Sequence, residues 1–146
     1  MSRRPATVPR VTPLRIWRDS TDRVAVQSFT VAGHPAGSVA AYLSAEHGIG
    51  VRDGRFCAHP LLARLCAKAD GPDGDDTAVR ASIGLGTTTE HVDRLVAALH
   101  RLVRRGASWT YSPLGGRWAP TPDPRDLDPL GLGAPGSRGT GCGSRA

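Results

Sequence analysis

Residues 78–106 read AVRASIGLGTTTEHVDRLVAALHRLVRRG, and the two halves of this stretch repeat with different periods. In the first half Val79, Ala81, Ile83 and Leu85 point one way, while Arg80, Ser82 and Gly84 point the other. A period of two marks a strand with one packed face. In the second half Val92, Leu95, Val96, Leu99, Leu102 and Val103 fall on one stripe at helical spacing. Thr87 and Glu90 stand at capping-box spacing ahead of that stripe. Arg101, Arg104 and Arg105 suit the negative pole of the helix dipole, and Gly106 is a natural stop. A strand leading into an amphipathic helix predicts a mixed α and β domain.

Upstream, RVAVQSFTV (residues 23–31) reads as a strand between DSTD and AGHP. Pro35 then opens a helix, with Val39, Tyr42, Leu43 and Glu46 at helical spacing and Gly48 as its stop. IGVR (residues 49–52) reads as a second strand, and Pro60 opens a short helix, PLLARLCAK, that runs out at the acidic turn DGPDGDD. The predicted fold is α/β (α+β): a small three-stranded sheet with helices packed on one face, in residues 21–107. Residues 1–20 are Pro- and Arg-rich and are expected to be a disordered basic segment. Residues 108–128, with two Trp and a Tyr, are expected to be an irregular extension, partly docked. Residues 129–146 read as a disordered Gly/Ser/Pro tail.

The net charge of +6 sits on the flanks. Residues 1–23 carry six Arg and two Asp, and residues 101–146 carry seven Arg and three Asp. The stretch between them has six basic and eight acidic residues. With no basic face inside the fold, nucleic acid is not the expected partner. No apolar run reaches the length of a membrane span, and the start MSRRPATVPR lacks a signal-peptide core, so the expectation is a cytoplasmic protein with no membrane partner. Cys57, Cys66 and Cys142 make an odd count without framework spacing. Neither C-x-x-C nor H-x-x-x-H spacing occurs, so no metal site is predicted, and no phosphate-loop pattern is present.

Two residues have chemical potential. Cys57, in GIGVRDGRFCAHPLL (residues 48–62), is either a small buried apolar residue or a reactive thiol. The second reading rests on Arg52, Arg55 and His59 nearby, since cationic neighbours raise the thiolate fraction of a cysteine. Arg80, on the open face of its strand, is either simply solvated or placed to hold a carboxylate bidentately. Cys66, beside Leu62 and Leu65 on a short helix, reads as core, and His34, His91 and His100 as residues that cap or decorate helices.

Residues 48–62 and 79–99 together resemble the C-terminal part of class V aminotransferases. Within that family they are closest to the cysteine desulfurases that mobilise sulfur for iron–sulfur assembly. The family pattern G-I-x-V-R-x-G-x-x-C-A-x-P is met by Gly48, Ile49, Val51, Arg52, Gly54, Cys57, Ala58 and Pro60. The pattern R-A-S-x-x-x-Y-N-T-x-x-E-x-D-R-L is met by Arg80, Ala81, Ser82, Thr88 or a neighbouring threonine, Glu90 or His91, Asp93, Arg94 and Leu95. The resemblance implies the small C-terminal domain of a fold type I pyridoxal-phosphate enzyme. It further implies that Cys57 attacks the substrate sulfur and becomes a persulfide, that Arg80 holds the amino-acid carboxylate, and that Arg52 is a second arginine near the active-site mouth.

The chain also departs from the family. The cofactor-binding large domain and its Schiff-base lysine have no counterpart here, and Lys68, the only lysine, matches no family position. RFCAHP replaces the two histidines often seen before the cysteine and GLGTT replaces Y-N-T, so another class V activity, such as a racemase or lyase, stays open beside the desulfurase one. The chain alone is therefore expected not to hold pyridoxal phosphate covalently. The partner implied is an amino-acid substrate, and the expectation covers a truncated gene product, a fragment from a wrongly placed start, or half of a split enzyme whose cofactor domain a separate chain supplies. A different class of function stays open beside this one, a non-catalytic binding module that uses Arg80 or the basic flanks to hold an acidic partner.

Overall fold

A computed structural model of the chain describes residues 8–16, 24–69, 76–126 and 130. In chain order the elements are β1 (Val11–Pro13), β2 (Val26–Val31), α1 (Ala36–His47), β3 (Arg52–Gly54), α2 (His59–Cys66), β4 (Ala78–Ser82), α3 (Thr89–Arg105), β5 (Tyr111–Leu114) and β6 (Arg117–Pro120). The first four strands form one sheet in the order β1-β2-β4-β3, with every neighbouring pair antiparallel. Residues directly opposite one another share a face of a sheet. Val11 lies opposite Val31, Phe29 opposite Val79, and Gln27 opposite Ala81. These residues make the packed face. Val39, Tyr42 and Leu43 of α1 and Leu95, Ala98, Leu99 and Leu102 of α3 close over it. Phe29, Val39, Leu43, Val79 and Leu99 are wholly buried, and each such side chain stabilises the fold by about 1.5–3 kcal/mol. Leu62 and Cys66 of α2 are buried outside this cluster, with Cys66 Sγ 3.6 Å from the Thr77 carbonyl.

The buried Tyr42 hydroxyl is satisfied. The Tyr42 hydroxyl donates to the Ala98 carbonyl (3.0 Å) and lies 2.7 Å from His47 Nε2. Burial, with the Glu46 charge nearby, pushes the Tyr42 hydroxyl up to about 12. Gly48 ends α1 in the left-handed conformation (φ 63°), and its N–H returns to the last turn, as glycine permits without a Cβ clash.

The alternation along 78–85 stops earlier than its sequence pattern. Thr87 N–H donates to the Gly84 carbonyl (3.0 Å), turning the chain after Ser82 and leaving Leu85 fully exposed. The cap of α3 is also displaced by one residue. The N-cap is Thr88, whose N–H donates to His91 Nδ1 (3.2 Å), while the Thr87 hydroxyl accepts the Gly84 N–H (3.0 Å) and belongs to the turn. The segment read as strand IGVR pairs only from Arg52 onward. Ile49 and Val51 are apolar because they pack against the core from a connection.

Two expectations change. The sheet has a fourth strand, β1, drawn from residues expected to lack order, because Val8 and Val11 bury themselves in the core. Residues 108–128, expected to be irregular, contain the β5–β6 hairpin, turned by Gly115 and Gly116, both at positive φ. Two consecutive left-handed residues fit the twist of a tight hairpin, and glycine adopts them freely. The hairpin packs against α1, where a Cβ at Gly37 would run into the Trp118 ring. Gly37→Ala is expected to cost about 1–3 kcal/mol by displacing that indole, despite alanine's better helix propensity. A urea midpoint equal to or above that of the parent chain would contradict this. The expected tail at 129–146 lies outside the described residues except Leu130, as do residues 1–7 of the basic leader. Among the described residues no helix is long and apolar enough to cross a membrane.

Candidate functional site

Arg80 sits in the middle of β4, directly opposite Ser28 of β2 on one side and Arg52 of β3 on the other. Its neighbours Val79 and Ala81 face the core, so the period of two sends Arg80 to the other face of the sheet. Arg52 shares that face and lies on the edge strand. Two like charges directly opposite on a sheet repel, and among the described residues neither guanidinium has a carboxylate partner. A cationic pair on a rigid strand pair is suited to an oxyanion.

Cys57 lies at the rim of this face. β3 ends at Gly54, and the chain then enters α2 through Arg55, Phe56, Cys57 and Ala58, with the Ala58 N–H donating to the Arg55 carbonyl (2.9 Å). Phe56 and Cys57 both adopt left-handed backbone, at φ 54° and 58°. For residues with a Cβ this costs energy, and such strain persists only where surrounding contacts hold it, most often at functional sites. One such contact is the Phe56 ring, whose centroid lies 4.9 Å from Arg80 Cζ. The strained turn presents Cys57 to solvent, so the buried-residue reading of this cysteine is excluded. Cys66, in contrast, is buried, as its helical neighbours predict.

Of the three cationic neighbours expected to act on Cys57, one is engaged elsewhere. Arg55 Nε and Nη2 both lie 2.7 Å from Asp76 Oδ1. That guanidinium holds the exposed Asp76 carboxyl below its usual range. Arg94, which the second motif singles out, has a structural task. Its guanidinium donates to the His47 carbonyl (2.7 Å) and satisfies the exposed end of α1. A cavity of about 270 Å³ lies between the residues 48–51 connection, the end of β4 and the first turns of α3, away from Cys57. Lys68 is exposed just beyond α2, where its N–H donates to the Leu65 carbonyl (3.2 Å). Among the described residues no group of His, Cys, Asp or Glu could hold a metal ion.

Sequence reasoning missed Phe56, whose role appears only when β4 brings Arg80 beneath it. It also missed Glu46, which read as one more helical position. The Glu46 carboxylate accepts the Ser108 N–H (2.9 and 3.1 Å), the Trp109 N–H (3.1 Å) and the Tyr111 hydroxyl (3.1 Å). Burial alone would raise its pKa, but these donors outweigh burial and hold the carboxyl below its ordinary value. The cost falls on Tyr111, whose hydroxyl is pushed up by burial and by the adjacent carboxylate.

The family model Aminotransferase class-V matches residues 9–95, a span that includes Arg52, Cys57 and Arg80 and leaves out the hairpin. A cysteine desulfurase of Klebsiella pneumoniae is 39% identical over 93 residues, covering 64% of this chain and 21% of that protein. A cysteine desulfurase of Dickeya dadantii is 34% identical over 99 residues, covering 68% and 22%. The probable cysteine desulfurase 1 of Mycobacterium leprae is 34% identical over 103 residues, covering 70% and 15%. The chain thus spans between 15% and 22% of the length of these relatives. The match supports what the motifs at 48–62 and 79–99 suggested: this chain belongs to the aminotransferase class-V family.

Proposed function

We propose that this chain is the small-domain portion of a pyridoxal-phosphate-dependent enzyme of the cysteine desulfurase type. In this reading Cys57 is the thiol that accepts the substrate sulfur as a persulfide. Arg80, with Arg52 beside it, holds the carboxylate of the amino-acid substrate. The observation that carries the reading is the outward Arg80, set opposite Arg52 and under the strained turn that exposes Cys57. A pure binding module would use Arg80 equally well, but it leaves the strain at Phe56 and Cys57 without a purpose. A cytoplasmic setting suits the reading, since an exposed thiol stays reduced there.

The residues of this chain do not fit a covalently held pyridoxal phosphate. Capture of that cofactor needs a lysine amine over a pocket that also grips its phosphate and ring nitrogen. Lys68 is solvated just after α2 and lines none of the three cavities found among the described residues. The chain's own part is limited to two acts, orienting a carboxylate and offering a sulfur acceptor. On this reading the cofactor domain is supplied from outside these residues, by the rest of a longer protein or by a separate chain.

The test is a chimera in which this chain's residues 9–107 replace the corresponding segment of the Klebsiella pneumoniae enzyme. After incubation with L-cysteine, peptide mapping is expected to find persulfide sulfur on Cys57, and Arg80→Lys is expected to raise KM about tenfold by losing the bidentate fork. Sulfur on Cys66, or a KM indifferent to Arg80, would defeat the reading.

A further inference from the structure

We infer that Phe56 is a positioning residue for the Arg80 guanidinium, holding it edge-out for a carboxylate and tying that anion site to the shape of the Cys57 turn. The inference rests on the reading of Arg80 as the carboxylate holder and adds to it the residue that makes the site selective. Arg80 Cζ lies over the Phe56 ring, 4.9 Å from its centroid. This is the geometry in which the negative face of an aromatic ring attracts a cation. Arg80 Nε is fully buried and has no hydrogen-bond partner among the described residues, so that side of the fork is closed to water. What remains is the edge formed by the terminal nitrogens. An edge presents parallel N–H groups, the pattern that matches the two oxygens of a carboxylate.

Without the ring, Arg80 would be a poor receptor. Arg52 stands directly opposite on the same face, and like charges so placed push each other's flexible side chains apart. The stacked ring opposes that and orders the guanidinium before the anion arrives, so binding does not have to supply the ordering. The same contact acts on the backbone. Phe56 and Cys57 occupy consecutive left-handed conformations, which need outside support to persist. A ring that leaves Arg80 withdraws that support and changes where the Cys57 sulfur points. Carboxylate affinity and Cys57 presentation are therefore two readouts of one contact.

The experiment compares two alkylating reagents on the full chain. Iodoacetate and iodoacetamide react with a thiol in the same displacement of iodide, but only the first carries a carboxylate. The ratio of their rates at Cys57, each mapped by peptide and normalised to 2-mercaptoethanol in the same tube, cancels the thiolate fraction and isolates guidance by the anion site. The ratio is expected to fall about fivefold in Arg80→Ala and about threefold in Phe56→Leu. It should hold or rise in Phe56→Trp, whose larger face binds a guanidinium at least as well. A ratio that falls in Arg80→Ala but not in Phe56→Leu overturns the role of Phe56 and leaves the carboxylate reading standing. A ratio unmoved by Arg80→Ala overturns both. If circular dichroism shows that Phe56→Leu does not fold, Phe56→Trp decides alone, and a fall to the Arg80→Ala level overturns the inference.

Discussion

Incubated with pyridoxal phosphate and L-cysteine, the purified 146-residue chain is expected to release no sulfide, and borohydride reduction to leave no stoichiometric adduct on Lys68. Lys68 is the only lysine in the sequence and is open to water. An exposed amine that lines none of the cavities found among the described residues forms imines with free aldehydes only transiently and without site selectivity. Arg80 and Arg52 cannot compensate. A single ion pair in contact with water contributes about 1 kcal/mol or less, roughly a fivefold preference and far short of specific binding. The expected outcome is therefore background labelling only, identical in Cys57→Ser. A one-to-one adduct on Lys68, together with turnover that needs Cys57, would sink both this prediction and the requirement for a separate cofactor domain.

A large stability effect that depends on pH is expected away from the site, at Glu46. Its carboxylate gathers two backbone N–H groups and the Tyr111 hydroxyl, and it ties the segment after α3 to the end of α1. Hydrogen bonds to a charged group contribute about 1.5–3 kcal/mol each when sheltered, and water screens them where the acceptor is partly exposed. Glu46→Ala is therefore expected to cost about 2 kcal/mol and to red-shift the emission of Trp109 and Trp118 as the hairpin loosens. The effect depends on pH in a definite direction. The folded-state pKa of Glu46 lies below its unfolded value near 4.5. Its contribution is thus fully present above that value and is lost as pH falls through the lower folded-state one. Urea midpoints of the parent chain and Glu46→Ala should differ at pH 7 and converge toward pH 3, with Glu46→Gln in between at pH 7. A gap of the same size at both pH values would show that the carboxylate charge is not what fastens the hairpin.

Much of the site was legible before any coordinates. The alternation of Val79 and Ala81 with Arg80 sent the guanidinium away from the core, and the residues 48–62 motif singled out Cys57 and Arg52. Both signals are local, carried within a few residues. A strand's period of two and a loop's turn chemistry act at short range, so one stretch of sequence suffices to read them. The helical stripe from Val92 to Val103 was readable for the same reason, and so was Gly48 as the end of α1.

The tertiary structure decided whatever depended on partners far apart in the chain. Arg52 and Arg80 are neighbours only because β3 pairs with β4 across the whole of α2 and the acidic turn, a register set by burial on the opposite face. β1 looked like a polar, proline-bearing leader, and only the space left beside β2 turned Val8 and Val11 into core residues. The capping register at α3 shifted by one because the turn after β4 had already taken the Thr87 hydroxyl. Glu46 meets Ser108 across 62 positions, and no periodicity reaches that far. Sequence by itself determined which way each element faces, because neighbours along the chain impose that. Packing determined which elements meet, because only the folded chain brings the Phe56 ring over Arg80 and the hairpin under Glu46.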